Sequence, residues 1–212
     1  MKTIILLSAK RCGSTAVSKS FQGHPEVNIC NEDQQIENHE IQYWTNAVEA
    51  IKGESKILLN IVKKSFPSID VSEFENKSLT KTDVFDIWNY ILKLKGPILF
   101  DKSPQYLSSF EALNLILDYK LAGNDVRILS LIRDPKDAIT SQHELWKEYT
   151  NEKNLTAREN DWLKKYENLE QLNKKLSIPL YYYEKIAKDP EYYFRIIYNY
   201  CEIEFNKLSF SN

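Results

Sequence analysis

Five short apolar runs, each separated from the next by a helical pattern, constrain this chain most. They are Thr3–Ser8, Glu26–Cys30, Pro97–Asp101, Val126–Ile132 and Ile178–Tyr183. Several are nearly continuous in apolar residues, as strands covered on both faces must be. Between them, helical patterns fall at about 14–23, 40–53, 56–66, 82–95, 106–122, 136–150, 156–176 and 189–201. Within the fourth, Val84, Ile87, Trp88, Ile91 and Leu92 recur at the spacing of one helix face, and Thr80 or Thr82 can cap it. Strand and helix in alternation call for an α/β fold with a central parallel sheet of about five strands, flanked by helices in three layers. In such sheets ligands sit at the carboxyl ends of the strands.

Composition narrows the partners. The 212 residues carry a formal net charge of −2, which argues against non-specific nucleic-acid binding. An anion site must then be a local basic cluster. No apolar segment approaches the roughly 18 residues of a membrane span, and Thr3–Ser8 is too short for the core of a secretion signal. The expected setting is cytoplasmic, with no membrane partner. Three cysteines, Cys12, Cys30 and Cys201, show no metal-binding spacing and read as free thiols. The sequon matches at Asn76 and Asn154 read as chance.

Three strand ends carry cations. The first run breaks into Lys10-Arg11-Cys12-Gly13-Ser14-Thr15-Ala16, a basic turn ahead of a helix-competent stretch. A helix start offers outward N–H groups and a favourable dipole to an anion, and Arg11 adds a charged donor fork. The Gly-Lys-Ser/Thr ending of a nucleotide-hydrolase loop is missing, so the anion need not be ATP. The fourth run ends in Arg133-Asp134-Pro135, where Asp134 suits a helix cap and Pro135 a first turn. Arg133 then shares the rim with Arg11, and Ser141, two turns into the next helix, can face the same way. The third run ends in Asp101-Lys102-Ser103-Pro104 and puts Lys102 there too.

Taken together these segments resemble the sulfotransferases that use 3′-phosphoadenosine 5′-phosphosulfate (PAPS). Arg11-Cys12-Gly13-Ser14-Thr15 is similar to that family's 5′-phosphosulfate loop, with Cys12 standing where Ser or Thr is usual. Arg133 with Ser141 eight residues later is similar to its 3′-phosphate pair, and Asp101–Pro104 and Tyr181–Ile186 resemble further family segments. His24-Pro25-Glu26-Val27 resembles a segment of the tyrosylprotein and carbohydrate branches that leads to a carboxylate, here Glu32, with Asp33 as its rival. The glycine-rich basic loop that many members carry near the C-terminus has no counterpart after Phe205, nor has the small-molecule branch's Lys-x-His histidine at 101–104.

The resemblance implies a single P-loop-like domain over 1–212, with a helical insertion at about 34–96. It implies sulfuryl transfer from PAPS to a hydroxyl of a small-molecule, carbohydrate or peptide acceptor, leaving 3′-phosphoadenosine 5′-phosphate, with no metal. Glu32 is the implied general base, and Arg11 and Lys102 stabilise the departing charge. Arg11, Cys12, Gly13, Ser14, Thr15, Ala16, Arg133, Ser141 and Tyr183 are the implied donor-binding residues. His24 and Pro25 shape a turn. Trp44, Trp88, Trp146, Tyr43 and Tyr149 read first as core and second as an acceptor pocket, His143 as a solvated helix position, and Lys164-Lys165 as part of a solvated face. A P-loop-type small-molecule or nucleoside kinase and a non-catalytic nucleotide-binding protein are the alternatives. The acceptor's identity and the oligomeric state are not written in the sequence.

Overall fold

The structure is a computed structural model and describes residues 1–30, 40–145 and 152–207. Five strands form one parallel sheet: β1 (Lys2–Ser8), β2 (Val27–Ile29), β3 (Ile98–Lys102), β4 (Asp125–Ile132) and β5 (Leu180–Tyr182). Their order is β2-β3-β1-β4-β5. β1 lies at the centre, with Ile5 paired to Asp101 on one side and to Ile128 on the other.

The two-residue period of β1 separates two cores. Ile5 and Leu7 face a layer built from α2 (Tyr43–Ile51), α3 (Ser55–Ser65), α4 (Lys81–Lys95), α5 (Phe110–Leu121) and α7 (Glu152–Asn173). Ile4 and Leu6 face α1 (Ser14–Gln22), α8 (Tyr183–Lys188) and α9 (Pro190–Cys201). The remaining helix, α6 (Pro135–Leu145), follows β4. Tyr43, Trp44 and Trp88 are wholly buried in the first core, where their rings pack at 4.6–5.3 Å. They are core, not pocket walls; Trp146 and Tyr149 lie outside the described residues.

Local chemistry explains the helix bounds. Thr80 caps α4 with a full capping box to Asp83. Asp134 accepts from the N–H groups of Lys136 and Asp137 and starts α6. The pattern over 106–122 splits into a short 3-10 turn (Tyr106–Ser108) and α5, because Ser109 is extended and turns its hydroxyl to the N–H of Ala112. The last strand stops at Tyr182 and an unforeseen short helix, α8, begins at Tyr183. Asp189 then breaks the chain, since Pro190 disfavours helical backbone at the residue before it, and its side chain caps α9. Lys165, expected on a solvated face, is instead buried and paired with Asp161, so only Lys164 of the Lys164-Lys165 pair is solvated.

All three cysteines are free and buried. Among the described residues no helix is long and apolar enough to cross a membrane. No group of three or more His, Cys, Asp or Glu side chains there could hold a metal ion.

Candidate active site

The chain leaves β1 toward one face of the sheet, into α1, and leaves the neighbouring β4 toward α6, which meets α7 on the other face. A crevice opens where the two exits diverge, the place where open α/β sheets bind ligands. Both basic motifs sit there.

The turn after β1 is built from two left-handed residues. Arg11 has φ +63° and Gly13 has φ +85°. Gly13 is the N-cap of α1, and no side chain caps the helix. Its carbonyl receives the N–H groups of Ala16 and Val17, so the N–H groups of the preceding first turn have no intrahelical partner. Gly13 is also required by space. A Cβ there would lie 2.1 Å from Cδ2 of Tyr183, whose ring covers it.

The structure brings the two motifs into direct contact. Arg11 Nε donates to Ser141 Oγ at 3.1 Å, and an Nη of Arg133 donates to the carbonyl of Arg11 at 3.1 Å. The Arg133 guanidinium lies 5.0 Å from the centre of the Tyr183 ring. Its Nε is shielded from solvent and has no hydrogen-bond partner among the described residues. A cation with a free donor, beside an uncapped helix start, fits an anionic ligand. Asp134 donates its N–H to Glu184 Oε1 at 2.9 Å, fastening the β4 exit to α8.

Cys12 turns inward and is fully buried. Its Sγ lies 3.3 Å from the Tyr166 hydroxyl, which donates to the carbonyl of Leu131 at 2.9 Å. Burial raises the thiol's pKa, so Cys12 is a packing residue whose backbone alone is left for the turn. Gln142 reaches the carbonyl of Lys10 at 3.5 Å. Spacing alone did not reveal Tyr166 and Gln142. Tyr166 stands four residues after Trp162, a period that reads simply as packing.

Lys102 ends β3, is 3% exposed, and donates to Glu40 Oε1 at 2.8 Å. Asp101 beside it is buried. Its Oδ2 accepts from the Tyr106 hydroxyl at 2.8 Å. Burial pushes the Asp101 carboxyl up to about 7, with the charge of Glu40 adding to the rise. Glu32 and Asp33 lie outside the described residues. His24 is buried, reaches the carbonyl of Glu204 through Nε2 at 2.7 Å, and accepts from the N–H of Glu26. That is a turn-shaping role. His143 is exposed.

A cavity of about 600 Å³ opens beside the turn, between α1, α8 and α9. Ala16, Lys19, Ser20, Tyr183, Ile186 and Phe194 are among its walls.

Solved structures share this fold. A sulfotransferase domain from the Synechococcus PCC 7002 olefin synthase superposes with a TM-score of 0.66 at 17% identity, over 99% of this chain and 76% of that one. A sulfotransferase domain from the curacin biosynthetic pathway gives 0.64 at 17%, over 98% and 76%. Sulfotransferase STF9 from Mycobacterium avium gives 0.59 at 12%, over 99% and 66%. No curated protein matches the chain significantly. The sequence model of the sulfotransferase family matches residues 3–207, nearly the whole length. With the fold, the crevice and that match in agreement, the chain belongs to the sulfotransferase family.

Proposed function

We propose that this chain transfers a sulfuryl group from PAPS to a hydroxyl of an acceptor molecule. The observation that carries the reading is the meeting of Arg11, Ser141 and Arg133 at one crevice, next to the uncapped start of α1. One basic turn would suit many phosphates. Two cations and a hydroxyl held together suit a ligand with two separate anionic groups.

In this reading the N–H groups of Gly13, Ser14 and Thr15 and the Arg11 guanidinium hold the 5′-phosphosulfate. Arg133 and Ser141 take the 3′-phosphate, which selects PAPS over ATP. The cavity beside Ala16 and Tyr183 receives the base. The acceptor hydroxyl attacks sulfur in line. Its new S–O bond forms as the bond from sulfur to the bridging oxygen breaks, and 3′-phosphoadenosine 5′-phosphate departs. Glu32 takes the acceptor proton as general base. Arg11, Lys102 and the turn's N–H groups stabilise the charge gathering on the departing phosphate. Lys102 is prepared for this by Glu40, which holds its ammonium in place within a buried site.

Calorimetry with 3′,5′-adenosine bisphosphate against ADP and ATP tests the donor. Binding of the bisphosphate at least tenfold tighter than of either rival supports the reading, and equal affinities overturn it. Glu32→Ala should keep bisphosphate binding and lose turnover. Full turnover in that variant would move the base to Asp33 or further.

A further inference from the structure

The face of α7 that carries Tyr166 continues toward the helix start as Trp162 and Arg158, at four-residue intervals. Trp162 packs against Tyr166, ring centres 4.4 Å apart and planes tilted by 45°, and both rings pack against the small cluster of Ala9, Cys12 and Ala138. That cluster draws on both arms of the crevice: Ala9 and Cys12 lie on either side of Arg11, and Ala138 is one turn before Ser141. Arg158 stands about 6 Å further along the helix. Trp162 Nε1 and one Nη of Arg158 are shielded from solvent, and neither has a hydrogen-bond partner among the described residues. Both side chains are otherwise part-exposed, so a rotamer change opens them to a ligand.

An indole N–H and a guanidinium can only donate. Two such donors left over, one turn apart, ask for a ligand that brings acceptor oxygens, and the guanidinium asks that they be negative. In the reading above the donor's own anionic groups already have partners, in Arg11 with the turn's N–H groups and in Arg133 with Ser141. The cavity proposed for its base lies toward α1, α8 and α9, on the other face of the sheet from α7.

We propose that Arg158 and Trp162 form an acceptor-side subsite that takes a carboxylate or another anionic oxygen group of the molecule to be sulfated. The proposal rests on the sulfotransferase reading above and adds the acceptor's class: a hydroxyl compound that also carries a negative charge. Tyr166 is the positioning residue, since its hydroxyl ties this face of α7 to the β4 end while its ring supports Trp162.

The test follows the indole N–H resonance of Trp162 by NMR, assigned by its loss in Trp162→Phe. Protein saturated with 3′,5′-adenosine bisphosphate is titrated with benzoate and, separately, with benzamide. Benzoate should shift the resonance saturably and benzamide should not. Arg158→Gln should weaken the benzoate response at least tenfold while bisphosphate affinity changes less than twofold, and Arg158→Lys should restore part of the response. An equal response to both probes overturns the proposal, as does an undiminished one in Arg158→Gln. A loss of bisphosphate affinity in Arg158→Gln would make the arginine a donor contact and would overturn it too. If the wild-type protein does not bind the bisphosphate, the donor reading fails by itself. The benzoate titration then runs on the free protein and still decides the subsite.

Discussion

Replacing Gly13 by alanine should separate the two reasons for a glycine at the helix start. A φ of +85° costs a residue with a Cβ about 1–2 kcal/mol. The new methyl would also lie 2.1 Å from Cδ2 and 2.3 Å from Cε2 of Tyr183. Neither approach is tolerable, so the ring must swing away. Leaving its rotamer well costs about 0.5–1.5 kcal/mol, and losing the Arg133 stack costs about 0.5–1 kcal/mol more. Gly13→Ala should therefore lose between about 2 and 4.5 kcal/mol in urea denaturation. Bisphosphate affinity should fall as well, because Tyr183 and Arg133 both border the crevice. The Tyr183→Ala background supplies the control. There only the backbone strain remains, about 1–2 kcal/mol, and a double-mutant cycle should return a coupling of at least about 1 kcal/mol. A cycle that closes to zero would refute the argument that the ring's close approach requires glycine.

Three further outcomes follow from the same geometry. Arg133→Ala should weaken 3′,5′-adenosine bisphosphate by about 10- to 150-fold, the equivalent of about 1.5–3 kcal/mol for a charge-assisted contact, while ADP affinity measured alongside changes less than threefold. Asp101 has its folded pKa raised to about 7 from 3.8. Between those values the folded state holds the extra proton, so stability should fall as pH rises from about 4 to 7 and level off above, with a slope of at most about 1.4 kcal/mol per pH unit. Asp101→Asn should flatten that stretch of the profile in denaturant titrations, and an unchanged slope would place its origin elsewhere. Tyr166→Phe takes the hydroxyl donor from the Leu131 carbonyl and leaves the Cys12 thiol only the Lys10 carbonyl. It should lower stability by about 1–3 kcal/mol and broaden the Trp162 indole resonance as its support loosens.

Much of the fold was legible because it depends on local pattern. The nearly continuous apolar runs of β1, β3 and β4 had to be strands covered on both faces, and Thr80, Asp134 and Pro135 marked helix starts by their own chemistry. The joints between elements were harder. Ser109 and Asp189 end one element and cap the next, and nothing in the spacing of their neighbours says which way the chain turns there. Lys165 shows the same limit. A lysine in a charged stretch reads as solvated until the helix is packed and Asp161 is seen beside it.

The sequence by itself determined that cations end three parallel strands, because strand order along the chain and the positions of Arg11, Lys102 and Arg133 are one-dimensional facts. It also determined that glycine opens α1. Only the tertiary structure decided that Arg11 meets Ser141 across 130 residues of chain, that Tyr183 lies on Gly13, and that Cys12 faces Tyr166 instead of the crevice. Those contacts depend on which strands become neighbours and on which face each connection takes. The free energy that chooses is set by burial of whole helix and sheet faces, a property of no single segment.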